Sequence, residues 1–154
     1  MELAWVREHA PTWDSGKAAA FGSGDTTRPG SGGAGAPLPG DWWCVLDGDE
    51  PVGYCRMDST WGDAELFVAV RPGRRGLGIG TFALRHAEAE ASRQGMNYIR
   101  TTVPRTAPDR TRTVGWLLAR GFRGRGNDEF RKRVWPAAPS SSRAVPGNQP
   151  SERS

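Results

Sequence analysis

The chain is poor in the side chains that most often carry chemistry. Its 154 residues include two cysteines, two tyrosines, two histidines and two lysines. Cys44 and Cys55 flank an Asp47-Gly48-Asp49-Glu50-Pro51 turn, too few for a disulfide scaffold, so reduced, half-buried thiols are expected. His9 and His86 stand alone and no Cys/His cluster has ligand spacing, so no metal is expected. No apolar stretch approaches the roughly 20 residues that a membrane helix needs, and no membrane partner is expected. The opening MELAWVREHAPTW has neither a basic n-region nor an apolar h-region, which points to a cytoplasmic protein. There is no internal repeat. No RNP-like, KH-like or zinc-finger pattern accompanies the basic residues, so a nucleic-acid partner is not expected.

Glycine (21) and proline (12) are abundant, and hydrophobic residues make up 36% of the chain. The shortage of apolar residues is local. Residues 22–41 (GSGDTTRPGSGGAGAPLPGD) and 136–154 (PAAPSSSRAVPGNQPSERS) are rich in Gly, Pro and Ser. Such segments bury too little apolar surface to offset their ordering entropy. The expected organisation is therefore one domain over 1–135, with a flexible loop at 22–41 and a disordered tail at 136–154.

Charge divides the chain in two. Residues 1–70 carry 4 Lys/Arg and 11 Asp/Glu, whereas residues 71–133 carry 15 and 5. An acidic half beside a basic half suits an anionic cofactor and a cationic second ligand. Monomer and homodimer are equally compatible with this composition.

Residues 3–9 read as a strand, and Asp14 or Ser15 as the cap of a short helix through Lys17-Ala18-Ala19-Ala20-Phe21. Trp42–Leu46, Val52–Met57 and Ala64–Val70 read as three strands of a meander joined by an Asp-Gly turn and a Ser59–Asp63 turn. A helix is predicted over Ile79–Gln94, closed by Gly95, and then a strand over Tyr98–Val103. A helix over Thr113–Arg120, ended by Gly121, precedes one or two strands within Phe122–Val134. The expected fold is α/β of the α+β type: a mixed, mostly antiparallel central sheet with one βαβ crossover, from the Val70 strand through the long helix to the Tyr98 strand.

The most informative stretch joins the Leu66–Val70 strand to that helix: Val70-Arg71-Pro72-Gly73-Arg74-Arg75-Gly76-Leu77-Gly78-Ile79-Gly80-Thr81. It holds three arginines and closely spaced glycines at a helix N-terminus, where backbone N–H groups lack intrahelical acceptors. Such a turn is a polyanion cradle. No lysine follows Gly80, which excludes a P-loop. Gly78-Ile79-Gly80-Thr81-Phe82-Ala83 matches a dinucleotide fingerprint by letters, but the next strand, Tyr98–Val103, lacks the acidic residue that would hold the ribose.

Arg75-Gly76-Leu77-Gly78-Ile79-Gly80 resembles the pyrophosphate motif [Q/R]-x-x-G-x-[G/A] of the GNAT superfamily of acyl-CoA-dependent N-acyltransferases. Val70-Arg71-Pro72 resembles the family's V-x-P, and Arg120-Gly121-Phe122 its L-G-F helix ending; the resemblance runs from about Trp43 to Val134. It implies a GNAT-like fold and acetyl transfer from acetyl-CoA to a primary amine, with both substrates bound together. It implies that the backbone of Val68, Ala69 and Val70 pairs with the pantetheine arm. It implies that Arg75, Gly76, Leu77, Gly78, Ile79, Gly80 and Thr81 hold the pyrophosphate. Ala64-Glu65-Leu66 resembles the Ala-Glu-Ile of histone-type members, which makes Glu65 the general-base candidate, with Asp58, Asp63 and Glu129 as alternatives.

The chain departs from the family where a tyrosine commonly protonates the leaving thiolate. That position is Leu117, and the usual asparagine upstream falls at Arg110. Tyr54 or Tyr98 is the substitute acid, unless water serves. Trp42, Trp61 and Asp58 are the candidate acceptor-binding residues, the indoles offering ring faces to an ammonium. An acyl-carrying cysteine is an alternative. So is a non-catalytic acyl-CoA sensor, because leucine at 117 donates no proton.

Overall fold

The computed structural model describes residues 1–21 and 34–134. The expected tail at 136–154 lies outside the described residues, as does the 22–33 part of the expected loop. Among the described residues are seven strands and three helices: β1 (Leu3–Glu8), α1 (Ser15–Phe21), β2 (Asp41–Asp47), β3 (Glu50–Thr60), β4 (Asp63–Val70), α2 (Ile79–Arg93), β5 (Tyr98–Thr102), α3 (Arg110–Ala119), β6 (Arg123–Gly126) and β7 (Glu129–Arg133). The architecture is mixed α/β with predominantly antiparallel pairing.

Two compact units emerge. The first holds Met1–Thr60 and Ala64–Glu88; the second holds Trp61–Asp63 and the described residues from Ala89 onward. In the first, the strand order is β1-β2-β3-β4. β1 pairs with β2 from Leu3↔Asp47 to Glu8↔Trp42, and β2 with β3 from Asp41↔Met57 to Asp47↔Glu50, with a bulge at Val45/Leu46. Trp13, Ala20, Leu38, Trp42, Cys44 and Tyr54 form the core under α1. Val45, Val52, Ile79 and Ala83 form a second core under α2. Trp5 stacks on Trp43 at 5.4 Å and on His86 at 5.2 Å, which ties β1 and β2 to α2.

Local signals explain most of the ends. Asp14 caps α1: its Oδ1 accepts from the Lys17 N–H at 2.8 Å. Alanines at 83, 87 and 91 are buried at one-turn spacing, so α2 packs closely through small side chains. Met96 N–H donates to Ala91 O and Gly95 N–H to Ser92 O, a Schellman ending. The same pair of bonds ends α3, from Phe122 to Leu117 O and from Gly121 to Leu118 O. α3 begins at Arg110, three residues before the expected Thr113. In the second unit the order is β5-β7-β6, and β6 and β7 turn tightly on Asn127 (φ +52°) and Asp128 (φ +63°).

Residues 34–40, expected to belong to the loop, run against the 11–13 segment. Trp13 N–H donates to Ala36 O at 2.9 Å, Gly35 N–H to Trp13 O at 2.7 Å and Leu38 N–H to Pro11 O at 3.0 Å. Leu38 is buried in the core under α1. Backbone bonds and one apolar anchor hold this strap despite its loop-like composition.

Candidate functional site

β4 delivers the chain to the glycine-rich turn and α2 takes it away. Arg71 N–H donates to Val52 O at 2.9 Å, so the strand pairing reaches the turn's first residue. Gly73, Gly76 and Gly78 have φ of +86°, +81° and +86°. Only glycine adopts this region without strain, and at Gly78 an added Cβ meets nothing within 4 Å of protein. The space above Gly78 is therefore open to a ligand. Phe82 N–H makes the helix's first bond, to Gly78 O at 3.0 Å, so helix geometry leaves the amides of Ile79 and Gly80 without acceptors inside α2. Ile79 is buried and anchors the turn, while Arg75, Gly76, Leu77 and Gly78 are exposed. The result is an exposed glycine-rich turn at the N-terminus of α2, with main-chain amides at the positive end of the helix dipole.

The three arginines of this turn are not equivalent. Arg71 Nη1 pairs with Glu50 Oε2 at 2.6 Å. Arg74 bridges Asp47 Oδ2 at 2.8 Å and Glu50 Oε1 at 2.7 Å. The hydrogen bond from Arg74, followed by one from the Glu2 N–H, holds the Asp47 carboxyl below its usual range. Arg75 donates from Nε to Val70 O at 3.1 Å. Two of the arginines expected to meet an anion are thus already engaged with carboxylates. The sequence reading missed this contact, although the acid-rich Asp47–Glu50 turn was its signal.

The pantetheine-pairing candidates Val68, Ala69 and Val70 are half-buried on β4. Val68 and Val70 pack on the α2 side and Ala69 on the α1 side.

β3 and β4 turn on Trp61 (φ +48°) and Gly62 (φ +87°), the two-residue geometry of a type I′ hairpin. The Arg71–Val52 bond and the Arg56 guanidinium, 5.7 Å from the Phe67 ring centroid, fix the register. That register sets Asp58 opposite half-buried Glu65. Arg56 Nη2 pairs with Asp58 Oδ2 at 2.5 Å. Gly40, at the end of the strap, crosses this pair: with φ +85°, a Cβ there would lie 2.3 Å from Asp58 Oδ1. Two candidates, Glu65 and Asp58, therefore share one sheet surface with an arginine that sequence reasoning did not single out.

Other candidates stand elsewhere. Trp42 is a core residue, not an exposed ring face: it is 1% exposed and its Nε1–H donates to Pro39 O at 2.9 Å. Trp61 is 99% exposed at the hairpin tip. Tyr54 is buried, with its hydroxyl against Gly16 of α1, and burial, reinforced by Asp14, pushes its phenol well above the usual range. It holds its proton tightly, which makes it a poor acid. Burial, then Glu8, pushes the Cys44 thiol up to about 11, and burial pushes Cys55 higher still, so neither is a ready nucleophile. In the second unit, Leu117 is buried, and Arg131 lies 3.9 Å from the ring centroid of Tyr98. Arg105 and Arg110 there both meet Asp128, at 3.4 and 3.1 Å. Glu129 opens β7 opposite Thr102, and Asp63 opens β4.

Lys17 is another residue not singled out from the sequence. Its side chain is 1% exposed, and its Nζ meets Glu8 at 2.8 Å, Thr12 O at 2.9 Å and Asp14 at 3.2 Å. It ties α1 to β1 beneath the strap.

Comparison with known proteins agrees with this geometry. A sequence profile described as the acetyltransferase (GNAT) family matches residues 34–122. A comparison with curated proteins gives no match. Among solved structures, an IAA acetyltransferase from Bacillus cereus aligns at TM-score 0.62 and 15% identity, over 86% of this chain and 99% of that one. PaiA N-acetyltransferase from Thermoplasma acidophilum, solved with coenzyme A, aligns at TM-score 0.53 and 20% identity, over 60% of this chain and 59% of that one. The ribosomal-protein-S18-alanine N-acetyltransferase of Escherichia coli aligns at TM-score 0.53 and 14% identity, over 66% and 73%. These identities establish likeness of fold. With a profile match spanning more than half its length, from the strap through the glycine-rich turn to the end of α3, the chain belongs to the GNAT acetyltransferase family.

Proposed function

We propose that this protein is an N-acetyltransferase that moves the acetyl group of acetyl-CoA directly to a primary amine of a small cationic molecule or a protein. The observation that carries this reading is the formed turn at the α2 N-terminus, with three positive-φ glycines and outward-facing residues from Arg75 to Gly78. Its amides and the positive end of the helix dipole suit the diphosphate of the coenzyme.

The acceptor enters as an ammonium with pKa near 10, so a proton must leave before nitrogen attacks. Glu65 takes that proton, directly or through one water. The amine nitrogen then bonds to the thioester carbonyl carbon and the carbon–sulfur bond breaks. The nitrogen sheds its second proton as the amide forms, and that proton passes through water to the leaving thiolate, which departs without a side-chain acid because thiols have pKa near 8.5. This route suits a chain in which Leu117 is buried and Tyr54 holds its proton tightly. Holding both substrates at once supplies the largest share of the rate.

Leu117 also favours a second reading, an acyl-CoA sensor without turnover. One experiment separates them: calorimetry with coenzyme A, then acetyl-CoA with a panel of amines while free thiol is followed. Binding together with thiol release supports the transferase. Binding without release from any amine favours the sensor, and absence of binding overturns both.

A further inference from the structure

The carboxylates of Asp47 and Glu50 carry the inference furthest. They belong to the turn between β2 and β3, distant in sequence from the glycine-rich turn, yet they hold both of its first two arginines. Glu50 uses both oxygens, Oε2 on Arg71 at 2.6 Å and Oε1 on Arg74 at 2.7 Å. Arg74 reaches Asp47 as well, at 2.8 Å, and Arg71 Nη1 also donates to Pro51 O at 3.1 Å. The acidic turn is itself anchored: Glu2 N–H donates to Asp47 Oδ1 and Gly48 N–H to Glu2 O, both at 3.2 Å.

We propose that Asp47 and Glu50 are positioning residues that clasp Arg71 and Arg74 and so hold the turn in its coenzyme-binding shape before the coenzyme arrives. The proposal rests on the coenzyme reading above. A run as rich in glycine as residues 73–80 has much conformational freedom to lose, and a ligand that orders it binds more weakly by that amount. The clasp removes this freedom in advance. It holds the turn's N-terminal side, and Arg75, through Val70 O, holds the next residue. Exposed ion pairs add little to global stability, so the geometry they impose is the more important effect. The clasp also neutralises Arg71 and Arg74, which leaves backbone amides and Arg75 to grip the diphosphate.

The sign of one measurement tests this. Asp47→Asn with Glu50→Gln removes two negative charges beside a polyanion site. Electrostatics alone then predicts tighter binding of coenzyme A. Positioning predicts weaker binding, by roughly fivefold or more in calorimetry at low salt. Hydrogen exchange of the free protein is the second readout. The amides of residues 76–81 exchange faster in the double variant, whereas a merely local role in the β2–β3 turn speeds exchange only there. Arg74→Gln approaches from the other side and gives the same loop exchange. Unchanged or tighter binding, or unchanged loop exchange, overturns the clasp. If the unaltered protein binds no coenzyme A, the coenzyme reading fails first, and the exchange data still decide whether the clasp orders the turn.

Discussion

The glycine-rich turn and the α1-facing surface of β3 and β4 belong to the same compact unit and are built by opposite means. On the proposed reading the turn binds through main-chain amides between Gly76 and Gly80, and its side chains serve mainly to hold it. The sheet surface offers side chains, Arg56, Asp58 and Glu65, brought together by strand register and covered by Gly40 from a distant strap. A main-chain site tolerates side-chain changes but not a Cβ where φ is positive. A side-chain site fails when one partner is removed. On the proposed reading the difference separates two kinds of failure, binding on one side and chemistry or folding on the other.

The largest effect is expected beneath the sheet surface. Lys17→Met leaves Glu8 without its cation in a buried setting, where Glu8 Oε2 already lacks a partner. Breaking such a pair costs about 3–5 kcal/mol, readable by denaturant titration. Adding Glu8→Gln should restore much of this, and a loss below about 1 kcal/mol would show that the network is not structural. Next is Glu65→Gln, with kcat lowered about 100-fold and the deficit greatest at acidic pH, where fewer acceptors are already neutral. A flat pH response would move the base to Asp58, Asp63 or water. Gly78→Val comes third. It places a β-branched side chain at φ +86° in the open space above the turn, and the Kd for coenzyme A should rise about tenfold with kcat little changed. An unchanged Kd would break the comparison at its root.

The smallest effect is in the clasp. The Asp47 carboxyl is held below its ordinary range, so the clasp's contribution is complete above the usual carboxylate pKa and is lost as pH falls through the lower folded value. Carbon-13 titration should place the Asp47 midpoint below about 3.9, the unperturbed value, and Arg74→Gln should raise it.

Legibility in the sequence followed the same division. The turn, the helix it starts and the Schellman endings at Gly95 and Gly121 depend on neighbours within a few residues, and the letters carried them. The strap, the Lys17–Glu8 pair and the contacts of Arg71 and Arg74 with Asp47 and Glu50 join residues 9 to 27 positions apart, and composition concealed them. Trp42 illustrates the limit: an aromatic beside another tryptophan reads as a recognition surface, but strand alternation points it into the core under α1. The acidic balance of residues 1–70 was also partly consumed. Glu8, Asp14, Asp41, Asp47, Glu50 and Asp58 are all in ion pairs, so net charge alone is a weak guide to the acceptor.

Gly40 has a consequence for how this protein can diversify. A side chain there would be strained at φ +85° and its Cβ would displace the Asp58 carboxylate, and the bonds from residues 35–38 fix the approach to that seat. A substitution within the strap that keeps those bonds therefore brings the chain to the same landing point on the sheet. A side chain at Gly40 would thus disturb Asp58 and, through it, the pairing with Arg56.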